Sequence, residues 1–168
     1  GETVTHVVPV YECFSMNLVL SRLDIGGRQI NAYLKKVLMY NGIKLQTTKE
    51  REVLTDIKEK LCYVAVDPDS DLQKIEHINE IETSFKMPDG SVIQISSQRF
   101  KAPEPLFDPQ LISVQSPGLH QLINDTINKC DDLKSLMYST ILLSGGTMMF
   151  DGMKKRIKKS VSELAPKD

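Results

Sequence analysis

The sequence predicts an α/β domain, with an α+β arrangement as the alternative, and three observations lead to this class. Apolar and β-branched residues cluster in the first 25 positions, as they do in strands. Three later segments repeat apolar residues at helical spacing. An apolar run, two glycines and a last helical pattern then close the chain. Strands followed by helices, with a final strand–turn–helix unit, are typical of a sheet covered by helices.

Composition limits the class of protein before any motif is considered. The 168 residues are 40% apolar and 26% charged, with a formal net charge of -1. This balance argues against a nucleic-acid binder, which needs a basic face, and no apolar run is long enough for a membrane span. Cys13, Cys62 and Cys130 have no metal-type spacing, so we expect reduced thiols buried as small hydrophobes.

The N-terminal strands are predicted from β-branched and apolar runs. Residues 4–11 suit a buried strand, and weaker extended runs cover residues 14–19 and 22–25. Gly26 and Gly27 break the pattern. A helix is expected after them, because apolar residues recur at helical spacing from Ile30 to Leu38, and it should stop at Asn41-Gly42.

The middle of the chain predicts a second helix, a hairpin and a loop. Residues 47–50 form a capping box that opens a helix with an apolar stripe from Val53 to Leu61. A short helix is expected over residues 72–78. Asp89-Gly90 predicts a hairpin between residues 81–87 and 92–95. Residues 102–109 contain three prolines, which favours an extended surface loop.

The last third of the chain predicts helices around one strand. Apolar spacing predicts a helix from Gly118, and residues 133–138 suit a short helix. Residues 140–144 suit a buried strand that delivers Gly145 and Gly146 to a sheet edge. A final helix is expected over residues 152–164, and its lysines favour a solvated outer face over an acidic or membrane partner.

Several residues are candidates for binding chemistry. Gly145 and Gly146 would let a flat ligand approach the backbone, although the spacing alone favours a plain strand-to-helix turn. Lys58 and Glu59 could bond a ribose or a base edge, although the pattern alone favours a solvated helix face. His6 could position a water molecule, whereas its apolar neighbours favour a hydrogen-bonded core histidine. The apolar loop at residues 107–114 could contact another subunit or pack onto its own domain.

Six motifs together resemble the actin family over essentially the whole chain. They are VTHVVPVYE, RLDIGGR, EREVLTDIKEKLCYVAVD, MPDGSVIQI, RFKAPEPLFDP and LLSGGTMMF, in the family's order. The resemblance implies an actin-type ATPase fold of the ribonuclease-H-like class, with a mixed sheet, flanking helices and an inserted α+β subdomain. It covers only the large domain. Residues 1–26 and 115–168 would form the nucleotide-cleft core, called subdomain three, and residues 27–114 the insertion, called subdomain four.

The resemblance also assigns expected site residues by position. Contacts to adenine and ribose are implied for Gly27, Lys58, Glu59, Gly145, Gly146 and Met149. Phe150 stands where actin has a tyrosine beside the adenine, and His6 matches the histidine that helps to position the attacking water. Residues 1–4, including Glu2 and Thr3, would be the tail of a phosphate-binding loop.

Three positions depart from actin. Glu2 replaces an aspartate, Thr3 replaces a glycine, and Thr55 stands where actin has an arginine near the ribose and base. Thr3 adds a Cβ where the backbone should approach phosphate. These departures indicate a divergent actin-related protein.

The resemblance implies ATP or ADP with Mg²⁺ as cofactor, with most residues of the metal's water shell outside this chain. The full-length protein is expected to be a slow ATPase of the cytoskeleton, cytoplasmic or also nuclear, whose partners are actin-like subunits and actin-binding proteins. This chain alone is not expected to hydrolyse ATP, because it carries only His6 of the catalytic groups. The alternative is a non-polymerising scaffold subunit of a multiprotein assembly.

Overall fold

Short antiparallel strand pairs, rather than one mixed sheet, form the β structure of the described residues. The computed structural model describes residues 1–43, 45, 48–68, 70 and 82–166. In that part of the chain, β1 (Thr5–Val7) pairs with β4 (Ser21–Leu23), and β2 (Val10–Tyr11) pairs with β3 (Phe14–Ser15). A third pair joins β5 (Thr83–Lys86) and β6 (Val92–Ile95). The combination of helices and strands confirms the coarse fold class.

The predicted first strand, residues 4–11, is divided at Val8 and Pro9. A proline has no N–H to donate to a ladder, so β1 ends before it and β2 begins after it. The β2–β3 turn places Glu12 and Cys13 at positive φ angles of 48° and 68°. Residues 17–19, predicted as extended, form a 3₁₀ helix instead.

The helices agree closely with the apolar spacing. The long helices are α1 (Gly27–Tyr40), α2 (Thr48–Leu61), α4 (Leu119–Asn128) and α6 (Met153–Leu164); the shorter ones are α3 (Gln98–Lys101) and α5 (Lys134–Ser139). The predicted stop after α1 is confirmed, because Gly42 takes a positive φ of 82°. Residue 47 of the capping box and the short helix predicted at 72–78 lie outside the described residues.

The expected hairpin is confirmed. β5 and β6 pair antiparallel, with Phe85 opposite Ile93, and Gly90 takes a φ of 88° in the turn. Asp89 accepts hydrogen bonds from the Ser91 amide and hydroxyl, and these bonds lower the pKa of the Asp89 carboxyl.

The extended surface loop predicted at residues 102–109 is wrong. Short 3₁₀ helices occupy Glu104–Leu106 and Pro109–Ile112, each with a proline in its first two positions. A proline is tolerated there, because the first amides of a helix have no partner inside the helix. Pro105, Leu106 and Phe107 are buried. The segment at 107–114 therefore packs mainly onto its own domain, although Leu111 remains exposed.

The buried strand predicted at residues 140–144 is also wrong. This segment belongs to no strand pair in the described part of the chain, and Leu142 is 87% exposed. Cys13 is another correction, because it is exposed, whereas Cys62 and Cys130 are buried as expected. Burial raises the pKa of the Cys62 thiol to about 12.

One apolar cluster holds the helices against the strands. Helix α1 packs on α2 and α3, and α4 packs on α6. The cluster contains Leu23, Ile30, Leu34, Leu38, Ile57, Ile95, Leu106, Leu119, Ile123, Ile157 and Val161. The division into residues 1–26 with 115–168 and residues 27–114 stays a prediction.

Candidate functional site

The N-terminal segment is fixed against the start of α1. The amide of Gly27 donates to the carbonyl of Gly1 at 3.0 Å, and the amide of Arg28 donates to the carbonyl of Glu2 at 2.7 Å. The amide of Gly26 donates to the side-chain oxygen of Gln29 at 3.0 Å. The first amides of a helix need partners from outside the helix, so these bonds hold residues 1 and 2 in place.

Gly26 allows this close approach. A Cβ added there would lie 2.6 Å from the carbonyl oxygen of Gly1 and 2.7 Å from that of Glu2. No side chain fits at that distance, so the contact between the two backbones requires glycine.

The turn after residue 144 also contacts Gly1. Gly145 takes a φ of 94°, and a 3₁₀ helix, Gly146–Met149, follows it. The buried Thr147 donates its hydroxyl to the carbonyl of Gly1 at 2.8 Å. A Cβ at Gly145 would lie 3.8 Å from the nitrogen of Gly1. The two glycine-containing turns therefore meet around the first residue.

Lys58 brings a positive charge to the same place. Its Nζ lies 3.3 Å from where a Cβ on Gly27 would be, and its side chain is only 12% exposed. Its neighbour Glu59 is 65% exposed, with its carboxylate 3.9 Å from Nζ of Lys58. Lys58 thus points into the site rather than out from a solvated helix face, and Glu59 lies at the rim.

Gly146 differs from its neighbours because the space beside it is open. No protein atom lies within 4 Å of a Cβ added there. Met149 is 83% exposed, whereas Phe150 is half-buried and packs against the core. Gly146 and Met149 therefore leave a surface that a flat ligand could cover.

His6 lies apart from this group. It sits on β1 opposite Arg22, its side chain is exposed, and it forms no side-chain hydrogen bond in the described part of the chain. The interpretation as a hydrogen-bonded core histidine is therefore wrong. His6 lines a groove that also includes Gly1 and Ser144, so it faces the same end of the molecule.

The three positions that differ from actin lie in different surroundings. Glu2 and Thr3 are exposed, and the Glu2 carboxylate lies 3.5 Å from the guanidinium of Arg28. Thr55 is half-buried on α2, where its hydroxyl accepts from the side-chain amide of Asn31 and donates to the carbonyl of Arg51. The Thr55 hydroxyl is thus already occupied by bonds within the protein.

Sequence reasoning missed two residues that shape the site. Gly26 permits the backbone contact with residues 1 and 2, and Thr147 ties the second turn to Gly1. A pair of glycines directly before a helical pattern is the signal that could have found Gly26. Nothing local marks Thr147, because its partner is 146 residues away in sequence.

The arrangement suits a neutral, flat ligand group beside a cation. It offers uncovered backbone at Gly146, a close-packed floor at Gly27 and one ammonium group at Lys58. Within the described ranges, no three acidic, histidine or cysteine side chains come together as a metal site requires. A search of the same residues finds no helix long and apolar enough to cross a membrane.

Comparison with known proteins identifies the family of this chain. The actin family model matches residues 1–168. The chain is 39% identical over 165 residues to actin-related protein 2 of Schizosaccharomyces pombe, which covers 98% of this chain and 42% of that protein. The chain thus spans less than half the length of this relative. A family match across every residue, together with this identity, is decisive: the chain belongs to the actin family.

Proposed function

We propose that this chain supplies the adenosine-binding side of a nucleotide cleft in an actin-like cytoskeletal protein that forms filaments or associates with them. One observation carries the proposal. Residues 1–2, the start of α1, Lys58 and the turn at 145–147 meet around Gly1, and Gly146 is left uncovered beside them. Glycine at such a position lets a flat base contact the backbone.

Each residue has a role in this proposal. The adenine lies against Gly145 and Gly146, next to Met149 and the ring of Phe150. Lys58 donates a hydrogen bond to the ribose or base from the floor at Gly27, and Glu59 accepts one at the rim. Glu2 and Thr3 lie toward the phosphates. Bound ATP would bring Mg²⁺, which offsets negative charge on the phosphates.

The catalytic part of the proposal rests on His6. Its exposed imidazole, on the same side of the molecule as Gly1, is free to orient a water molecule. We expect slow ATP hydrolysis by the full-length protein, with its remaining groups from regions that this chain does not contain. The partners are other actin-like subunits and actin-binding proteins, in the cytoplasm or, as the alternative, in the nucleus; the family relationship supports this part of the proposal.

Replacement of Gly146 by valine tests the site. Because the space beside Gly146 is open, Gly146→Val should leave the fold intact and obstruct only a ligand. We expect the full-length variant to bind ATP at least roughly tenfold more weakly, which is about 1.4 kcal/mol. Ala32→Val, which places the same valine side chain at an exposed position of α1, is the control. Equal ATP affinity for both variants would reject the assignment.

The second candidate is a non-polymerising scaffold that binds nucleotide structurally or not at all. The exposed Glu2 and Thr3 favour it, because they replace the residues that hold phosphates in actin. Sedimentation of the full-length protein with and without magnesium-ATP separates the two functions. A pellet that forms only with nucleotide supports the filament proposal, whereas protein that stays in solution well above the concentrations at which actin assembles supports the scaffold.

A further inference from the structure

Positive charge is concentrated on the outer face of α6. Five of the six residues 154–159 are lysine or arginine, although the whole chain has a formal net charge of -1. Arg156 turns inward, where it bonds Glu104. The exposed members, called the lysine face below, are Lys154, Lys155, Lys158 and Lys159. Successive helix residues are about 100° apart, so these four side chains lie within an arc of about 140°.

The opposite side of the helix holds the lysine face in a fixed orientation. Met153, Ile157 and Val161 are each at most 4% exposed, and they belong to the main apolar cluster of the domain. Because this apolar stripe is already buried against the domain, α6 is not free to insert into a bilayer. The lysine face can contact a partner only by lying against its surface.

Most of the charge on the lysine face has no partner, a feature that the sequence pattern alone does not show. Lys159 pairs with the carboxylate of Asp67 at 3.3 Å, and both side chains remain partly exposed. Lys154, Lys155 and Lys158 form no ion pair and no side-chain hydrogen bond with any residue that the structure describes.

The placement of these lysines opposes the stability of the helix. Lys154 and Lys158 are like charges four residues apart, as are Lys155 and Lys159, and such pairs repel each other. Lys154 and Lys155 also lie in the first turn, which contains no acidic residue. The partial positive charge of a helix N-terminus disfavours cations there. A negatively charged surface over the lysine face would relieve both effects.

We propose that the lysine face binds the surface of an anionic membrane through its phospholipid headgroups. Clusters of about four or more basic residues on a helix are typical of binding to acidic lipids, and each one strengthens binding roughly fivefold. Lysine suits such a surface, because its ammonium is a compact point charge, whereas partners of fixed geometry favour arginine. The inference uses neither Lys58 nor Gly146, so it does not depend on nucleotide binding.

A protein or a nucleic acid suits this face less well. Protein interfaces are depleted of lysine and centre on apolar or aromatic anchors, whereas the exposed positions of residues 154–163 carry only lysine, serine and glutamate. Nucleic acids are bound through arginine, asparagine and glutamine contacts to bases or through aromatic stacking. None of these side chains lies on the lysine face.

Flotation of the full-length protein with lipid vesicles tests the proposal, because vesicles rise in a density gradient whereas protein filaments sediment. We expect the protein to float with phosphatidylcholine vesicles that contain about 30% phosphatidylserine, but not with phosphatidylcholine alone. Salt at about 0.5 M should release it, because exposed charges are then screened. Failure to float with the anionic vesicles would overturn the proposal.

Two triple variants of equal net charge test whether the lysine face itself is responsible. Glutamine at positions 154, 155 and 158, which preserves helix propensity, should weaken binding at least about 30-fold, and Lys158→Gln alone about fivefold. Glutamine at positions 36, 60 and 86, three exposed lysines on α1, α2 and β5, should weaken it less than about threefold. Equal losses in the two triple variants would contradict the assignment. Binding of polyglutamate or RNA through the same lysines, without binding of vesicles, would overturn it in favour of that partner.

Discussion

Three glycines near the end of the chain have different structural roles. Gly145 needs its freedom at positive φ, whereas Gly146 has neither a left-handed φ nor a close neighbour. Gly152 combines both constraints. Its φ is 80°, and an added Cβ would overlap the carbonyl oxygen of Val64, next to the bond from the Val64 amide to Asp151.

These differences predict unequal effects of one added methyl group. Gly152→Ala should lower the free energy of unfolding by about 2–4 kcal/mol, from the left-handed backbone and the overlap with Val64. Gly146→Ala should lower it by less than about 1 kcal/mol. Urea unfolding of the two variants measures both values. Similar losses at both positions would show that the space around these glycines is not as described.

At the scale of elements, Arg156 connects α6 to the segment that precedes α4. Its guanidinium donates to the carbonyl of Ala65 at 2.6 Å and to the carboxylate of Glu104 at 3.4 Å, and it lies 4.6 Å from the ring centre of Phe107. Both charged side chains are largely buried. A buried ion pair is costly to break on one side, because the remaining charge loses its partner.

Removal of this guanidinium should therefore be strongly destabilising. We expect Arg156→Ala to lower the free energy of unfolding by about 3–5 kcal/mol. Lys155→Ala, on the exposed face of the same helix, should change it by no more than about 0.5 kcal/mol. Denaturant titration compares the two, and a loss of less than 1 kcal/mol at residue 156 would contradict the role given to the pair.

The pair also predicts the direction of the pH dependence. Burial raises the pKa of the Glu104 carboxyl above its ordinary value near 4.5, and Arg156 opposes this rise. A pKa raised in the folded state means that folding favours the proton, so stability increases as the pH falls from the folded pKa towards 4.5. Without Arg156 the pKa rises further. The loss in free energy of unfolding caused by Arg156→Ala should hence be smaller at pH 5 than at pH 7. An equal loss at both pH values would contradict this explanation.

The elements also show which features were predictable from sequence. Helices α1, α4 and α6 were predictable, because each has an apolar stripe that the core buries. The structure of residues 102–109 was not predictable. The three prolines indicated a loop, and only tertiary burial shows that prolines begin 3₁₀ helices here. The buried strand predicted at residues 140–144 is wrong, because no described residue pairs with this segment and Leu142 is exposed.

The candidate site was predictable only through the family resemblance. Periodicity placed Gly145, Gly146 and Lys58 on their elements, but it gave no reason for them to meet. Their meeting depends on bonds over long sequence distances, such as the one from Thr147 to Gly1. Such pairings have no local signature, so the spacing alone favoured a plain turn over a nucleotide site.

For the molecule as a whole, we propose that this chain forms the adenosine side of a nucleotide cleft. ATP bound there would join this domain to the rest of the protein, so cleft closure would be a hinge motion. The features that support the claim lie on one side of the chain, around Gly1, Gly27, Lys58 and Gly146.

The most direct test is a crystal structure of the full-length protein with a non-hydrolysable ATP analogue and Mg²⁺. We expect the adenine to lie against Gly145 and Gly146, with the Lys58 ammonium in hydrogen-bonding distance, roughly 3 Å, of the ribose or base. An analogue bound elsewhere, with Gly146 still uncovered and Lys58 distant from it, would rule out this nucleotide site.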